Sequence, residues 1–502
     1  MARVRAHDFA GAVEVLEPEV EAHPRDLKAL NLLGIALTGA GRIEDANRRF
    51  LAALALEPGF LPAIKNLAVN EFTQGRLDSA QKRFERVLAD QPADPIVHLH
   101  LGEIAHQRRD HALAAAHYQK SGDAVAGDPR WTLHYAETLL ALSRREDALA
   151  VLQRLPEGDA EALFQAGVLL GQAEAHLEAA RFFERAAPGY RDPDAAVYNQ
   201  VLMLVRAGDH AAAIRAGEAL LARRPPTKGE LPNLMAQAYA GAGRIADAYE
   251  SLRRATRLEP QAEENYLDLA SLCLEHQNLE LGLEIVDIGL RQRPESARLQ
   301  LQRGALLAMK GQLDQAEAAF EAASRLGGQG SLPQIAMAMA WMQNGQIPRA
   351  VAMLRERARG EARDPLVFYI LGLALMRSGA EPGDPAETEA EAAFQAALRL
   401  RPDHAPSRAE LGKLLVRRGD ARGAIAQLEP AVAREPDNVA AAYALAQAYR
   451  RNGQAERAEE MMARVSRLNE AARQPGGGDE LQRTVIRILR EGTAAAPATP
   501  PR

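Results

Sequence analysis

Residues 27–60 read LKALNLLGIALTGAGRIEDANRRFLAALALEPGF, and residues 61–94, LPAIKNLAVNEFTQGRLDSAQKRFERVLADQPAD, repeat their pattern 34 positions on. The frame of Leu30, Leu33, Gly34, Gly41, Ala46, Phe50, Ala53 and Pro58, with Leu37, is repeated as Ile64, Leu67, Ala68, Gly75, Ala80, Phe84, Val87 and Pro92. Apolar residues three and four apart, twice per unit with a glycine between the two sets, describe two amphipathic helices joined by a tight turn. One small residue keeps the same phase along the chain: Ala12, Ala46, Ala80, Ala114, Ala148, Ala179, Ala213, Ala248, Gly282, Ala316, Ala350, Ala390, Ala424 and Ala458. Ten of its thirteen intervals are 34 residues, so one helix pair that crosses at close range is stacked again and again.

The pattern resembles the tetratricopeptide repeat family. In that family's phase Leu30 stands at position 4, Gly34 at 8, Leu37 at 11, Ala46 at 20, Phe50 at 24, Ala53 at 27 and Pro58 at 32. A late copy, Phe368, Leu371, Gly372, Leu375, Ala390, Phe394, Ala397 and Pro402, reads the same way. The resemblance implies an all-α, right-handed superhelical solenoid of antiparallel helix pairs. It places a partial repeat at 1–26, thirteen full repeats at 27–468, a linker with a C-terminal capping helix at 469–492, and a disordered Ala/Pro tail at 493–502. The physical roles are separable. Gly41 and its counterparts end a first helix in a left-handed residue, small position-8 residues such as Gly34 and Gly304 let the paired helices approach, and proline stops the second helix.

Composition agrees. Aromatic residues make up only 5%, so the core has to be built from alanine and leucine. With 61 basic against 67 acidic residues the formal charge is −6, which favours neither nucleic acid nor a membrane surface. The single cysteine, Cys273, excludes an internal disulfide framework and suits a reducing cytoplasm, the periplasm being the alternative if a signal lies upstream. No stretch reaches 18 apolar residues, so no membrane span is expected. Richness in Ala, Arg, Gly and Pro suggests a bacterial gene of high GC content.

Irregular places mark the rest. Residues 9–24 read as the second helix of a unit whose first helix is mostly absent, either a half-repeat that acts as a cap or a sign that the natural product extends upstream. The interval from Ala148 to Ala179 is 31 residues, and that from Ala350 to Ala390 is 40, the surplus lying in the Pro-rich turn around Pro382 and Pro385. A surface excursion is expected there, with a binding loop as the alternative. After Gln474, Pro475 and Gly476, a short amphipathic helix with Leu481, Val485, Ile488 and Leu489 is expected to cover the last repeat.

Catalytic signatures are missing. The chain has no GxxxxGK[ST], HExxH, GxSxG or CxxC, so no cofactor and no enzymatic activity are expected. The triplet Gly327, Gly328, Gln329 reads as a link between repeats. Histidines cluster as His98, His100, His106, His111, His117 and His134, but none are three or four apart as metal-binding pairs on one helix must be, so the reading disperses them over different faces.

What remains is a surface for binding. The resemblance puts positions 2, 5, 9, 12 and 13 of each first helix on a concave face. Lys28, Asn31, Lys65 and Asn66 then match part of the carboxylate clamp of chaperone-binding relatives, but Ile35, Val69, Ile96 and His100 stand in place of its other polar members. Farther along, Glu137, Glu161, Glu230, Glu264 and Glu275 make an acidic zone, offset in part by Arg130 and Arg206. Met309, Ile335, Met339, Met342, Tyr369, Leu373 and Met376 make an apolar one. Arg377, Lys413, Arg417, Arg450 and Arg451 follow, with Tyr443 and Gln447. An apolar pocket that leads into a basic one suits an extended peptide with hydrophobic and acidic residues. The competing reading has the methionines packing between first helices and the arginines solvated. The expectation is a non-catalytic scaffold for a protein or peptide partner, or the adaptor part of an enzyme or secretion assembly whose other segment lies upstream.

Overall fold

The structure is a computed structural model and describes residues 2–327, 330–360 and 364–472. The capping helix and tail expected beyond residue 472, and Gly328 and Gln329 of the triplet, lie outside the described residues.

Helices pair throughout: Leu27–Gly39 with Ile43–Leu56, Leu61–Thr73 with Leu77–Asp90, and so on to Val439–Arg451 with Ala455–Ala472. No strand occurs among the described residues, so the expected all-α class is the observed one. Aspartate caps the start of several helices. The Asp26 carboxylate accepts hydrogen bonds from the N–H groups of Lys28 and Ala29 at 2.8 and 3.1 Å. Asp94, Asp110, Asp159, Asp192, Asp209 and Asp420 cap their own helices in the same manner, each a contribution of about 1 kcal/mol.

The turn between paired helices is equally local. Arg42 N–H reaches back to the Leu37 carbonyl at 2.8 Å across Gly41, whose φ is 78°, and the same six-residue closure recurs at Arg76 to Glu71 and Gln312 to Leu307. Where the sequence offers no glycine the turn is kept regardless: Arg109, Ser143, Glu174 and Gln277 hold φ of 61°, 60°, 57° and 60°.

Packing follows the small-residue series, in which every alanine from Ala12 to Ala458 is buried. The 31-residue interval is absorbed by a short second helix, Arg145–Leu152. The 40-residue interval is the expected exposed excursion, tied down by Gly383 N–H donating to Glu387 Oε2 at 3.0 Å and by Arg417 Nη2 donating to the Ala380 carbonyl at 2.9 Å. Cys273 is buried, which pushes its thiol up to about 11 and leaves it a packing residue. Among the described residues no helix is long and apolar enough to cross a membrane.

The helices fall into two compact units, Met1–Arg224 and Pro225–Arg502. The junction carries Pro225 and Pro226, which have no N–H to continue a helix, and the next helix starts at Glu230.

Candidate partner-binding surface

In the second unit the first helices Leu332–Gln343, Pro365–Arg377, Ala405–Arg418 and Val439–Arg451 lie side by side, each touching the next. They carry most of the residues expected to meet a partner, but at different depths. Met339 and Met342 are 1% and 4% exposed, and Ile335 is fully buried. Tyr369 is buried as well, its ring 5.2 Å from that of His404 and 6.3 Å from that of Phe394. These side chains are withdrawn from the surface. Met309, Leu373, Met376, Lys413 and Gln447 are half-buried, and Arg377, Arg417, Tyr443 and Arg450 are exposed.

The basic residues are not equivalent. Lys413 Nζ stands 2.6 Å from Glu410 on its own helix, and Arg417 is spent on the Ala380 carbonyl. Arg451 donates to the Val416 carbonyl, while Arg418, which the sequence did not single out, pairs with Glu387 and Glu391. Among the described residues Arg377 and Arg450 have no carboxylate partner. Together with Tyr443, 47% exposed, they form the part of this face that has charge and aromatic surface to offer.

The other zones of the concave positions resolve differently. Lys65 is neutralised by Asp94, with Nζ–O distances of 2.6 and 2.8 Å, and Asn66 donates to Asn31 Oδ1 at 3.0 Å. Of the two lysines that match the clamp, Lys65 is therefore already paired within the stack, while Lys28 is exposed.

The histidines are not dispersed as spacing within one helix suggests. His98 Nδ1 and His117 Nδ1 meet at 3.0 Å between helices Pro95–Gln107 and His111–Ser121, and the rings of His106 and His134 stack with centroids 4.6 Å apart. Glu103, buried, accepts from Tyr118 Oη at 2.7 Å and pairs with His134 Nδ1 at 3.0 Å, a hydrogen bond that raises the His134 pKa above its usual value. Among the described residues no group of three or more potential ligands could hold a metal ion.

The acidic zone contains a concave pocket of about 630 Å³ between the first helices Glu230–Gly241 and Glu263–Glu275, reached by Arg298 from the next. Asn233, Gln237, Asp268 and Ser271 line it and were not singled out by sequence, although three of them stand at positions 5 and 9 of their repeats.

Two family models described as tetratricopeptide repeat match the chain, one at residues 1–59, 66–129 and 267–331, the other at 415–473. The crystal structure of yeast Tom70 is similar at 16% identity and a TM-score of 0.45, covering 87% of this chain and 96% of that one. The APC/C hetero-tetramer Cut9-Hcn1 is similar at 16% identity and a TM-score of 0.36, covering 88% and 98%. A tetratricopeptide repeat protein from Parabacteroides merdae ATCC 43184 is similar at 17% identity and a TM-score of 0.39, covering 51% and 98%. No curated protein matches.

Proposed function

Because this chain is a tetratricopeptide repeat protein, we propose that it works as a non-catalytic scaffold that holds an extended peptide segment or partner protein along its first helices. A stack of repeats presents many side chains at fixed spacing, so several weak contacts add to one specific complex. The observation that carries the reading is the face made by Arg377, Lys413, Arg417, Tyr443, Gln447 and Arg450 on three adjacent helices, edged by half-buried Leu373 and Met376. Cationic and aromatic groups beside apolar surface suit an acidic segment with hydrophobic residues.

The test is to reverse Arg377 and Arg450 to glutamate together. Neither makes an ion pair among the described residues, so helical content and melting stay as they were while partner recovery by affinity capture falls. Arg417 is left alone because its guanidinium holds the Ala380 carbonyl. Undiminished recovery of the same partners by the double reversal refutes the assignment.

A further inference from the structure

The pocket in the acidic zone has features that an ordinary solvated face lacks. One part of its wall is apolar, formed by Ala236, Ala240, Leu267 and Leu272. The other part is a chain of polar groups held in order: Gln237 Nε2 donates to Asn233 Oδ1 at 3.2 Å, and Asn233 Nδ2 donates to Asp268 Oδ2 at 2.7 Å and to Asn265 Oδ1 at 3.1 Å. Asn233 thus uses both hydrogens of its amide to fix the Asp268 carboxylate and the neighbouring amide in place.

Glu264 and Asp268 line the pocket together with Arg298, whose guanidinium lies 3.1 Å from Glu264 and 3.3 Å from Glu263. Among the described residues no cation comes within ion-pair distance of Asp268, although Arg298 attracts it from across the pocket. Asp268 is exposed at the mouth of the pocket, and its pKa is nevertheless raised above the usual value, desolvation outweighing the Asn233 hydrogen bond and the attraction of Arg298. A cation placed there restores what desolvation removes.

The size and lining select among cations. A bare metal ion wants three or more ligating groups, which no cluster among the described residues provides. A long aliphatic stem that ends in a charge lays methylenes on the apolar wall and its tip on the carboxylate. We infer that this pocket takes the side chain of an arginine or lysine from an extended partner segment that lies along the first helices of the second unit. The inference rests on the reading of that face as the binding surface and gives it a second, oppositely charged station about which an incoming segment is oriented.

Saturation-transfer NMR on the full chain tests this with Nα-acetyl-arginine amide and Nα-acetyl-lysine amide, against the neutral Nα-acetyl-citrulline and Nα-acetyl-norleucine amides. A basic probe is expected to bind about tenfold or more tightly than its neutral counterpart. Asp268→Asn keeps an acceptor for Asn233 but removes the charge, and is expected to weaken the basic probe by a similar factor. Gln237→Arg, made at an exposed position on the pocket wall, supplies a resident guanidinium and is expected to displace it. Neutral probes that bind as well as basic ones, or full retention of basic-probe binding by Asp268→Asn, overturn the inference. Should Asp268→Asn fail to fold, Gln237→Arg decides alone: loss of binding supports the pocket and retention overturns it. The chain with Arg377 and Arg450 reversed keeps the basic-probe signal, so failure of the distant basic face and failure of this pocket are read separately.

Discussion

Gly372 lies so close to the ring of Phe394 that a Cβ on residue 372 would stand 2.5 Å from Cε1 of that ring. The same relation joins Gly34 to Phe50 at 2.3 Å and Gly304 to Phe320 at 2.5 Å, between position 8 of the first helix and position 24 of the second. Phe394 has no exposed surface and cannot swing out. Alanine is favoured over glycine inside a helix by about 1 kcal/mol. Gly372→Ala is nevertheless expected to lower stability by about 1 to 2 kcal/mol, because overpacking outweighs that gain. Urea unfolding checks it, and a Phe394→Leu background is expected to make the same substitution neutral or favourable. A higher midpoint for Gly372→Ala in the unaltered chain contradicts the crossing.

Ser143 and Gln277 occupy the left-handed turn position that glycine fills in most repeats, with φ of 60° at each. Both are exposed. The left-handed backbone costs a residue with a Cβ about 1 to 2 kcal/mol, and glycine gives back part of this through the entropy of the unfolded chain. Ser143→Gly and Gln277→Gly are each expected to gain about 0.5 to 1 kcal/mol, measured as a higher urea midpoint. A lower midpoint in both speaks against the turn geometry.

Glu387 has no exposed side-chain surface, yet it is ionised by its partners: Gly383 N–H at 3.0 Å and Arg418 Nε at 2.9 Å. Burial works against the charge, but these donors outweigh it and hold the carboxyl below its usual range. Arg418→Met is expected to destabilise by about 2 to 3 kcal/mol near neutral pH, less than a fully buried pair because Arg418 keeps some solvent. A depressed carboxyl contributes stability above its unfolded pKa and loses it as pH falls through the folded value. In the variant the unpaired carboxyl takes up a proton earlier, so the difference between the two chains is expected to narrow on acidification. A gap of constant size from neutral to acid pH contradicts the ion pair.

The fold was legible because its signals are local. The residues at positions 8, 20 and 24 and the turn glycine lie within one 34-residue span, and each faces its partner in that span. The face of a residue such as Met339 or Tyr369 follows from phase, but its depth does not, because depth depends on what the adjoining repeat places above it. The pairs His98 with His117 and His106 with His134 escape notice for a related reason, as both form between helices 19 and 28 residues apart in sequence. The division at Pro225 leaves the period nearly untouched, since the intervals on either side of Ala213 are 34 and 35 residues.

Those histidine pairs make acid sensitivity a consequence of the packing. His98 Nε2 lies 2.9 Å from the Pro92 carbonyl, which can only accept, so that nitrogen carries the proton in the neutral ring and His98 Nδ1 accepts from His117 Nδ1–H. Protonating both rings sets two donors face to face. Desolvation lowers the pKa of His117, with the neighbouring His98 adding to it, and burial lowers those of His106 and His100 as well. A lowered folded pKa means that the unfolded chain binds protons more readily, so these three groups withdraw stability as pH falls below about 6.5. His134 acts in the opposite sense: raised by Glu103, it contributes stability that is present in acid and is lost as pH rises through its folded value. The melting temperature is therefore expected to fall between pH 7.5 and 5.5. His134→Gln is expected to steepen the fall by removing this opposing group, and His117→Gln, whose amide can still donate to His98, to flatten it. Thermal melts at the two pH values check this, and identical pH dependence in all three chains contradicts the assignment.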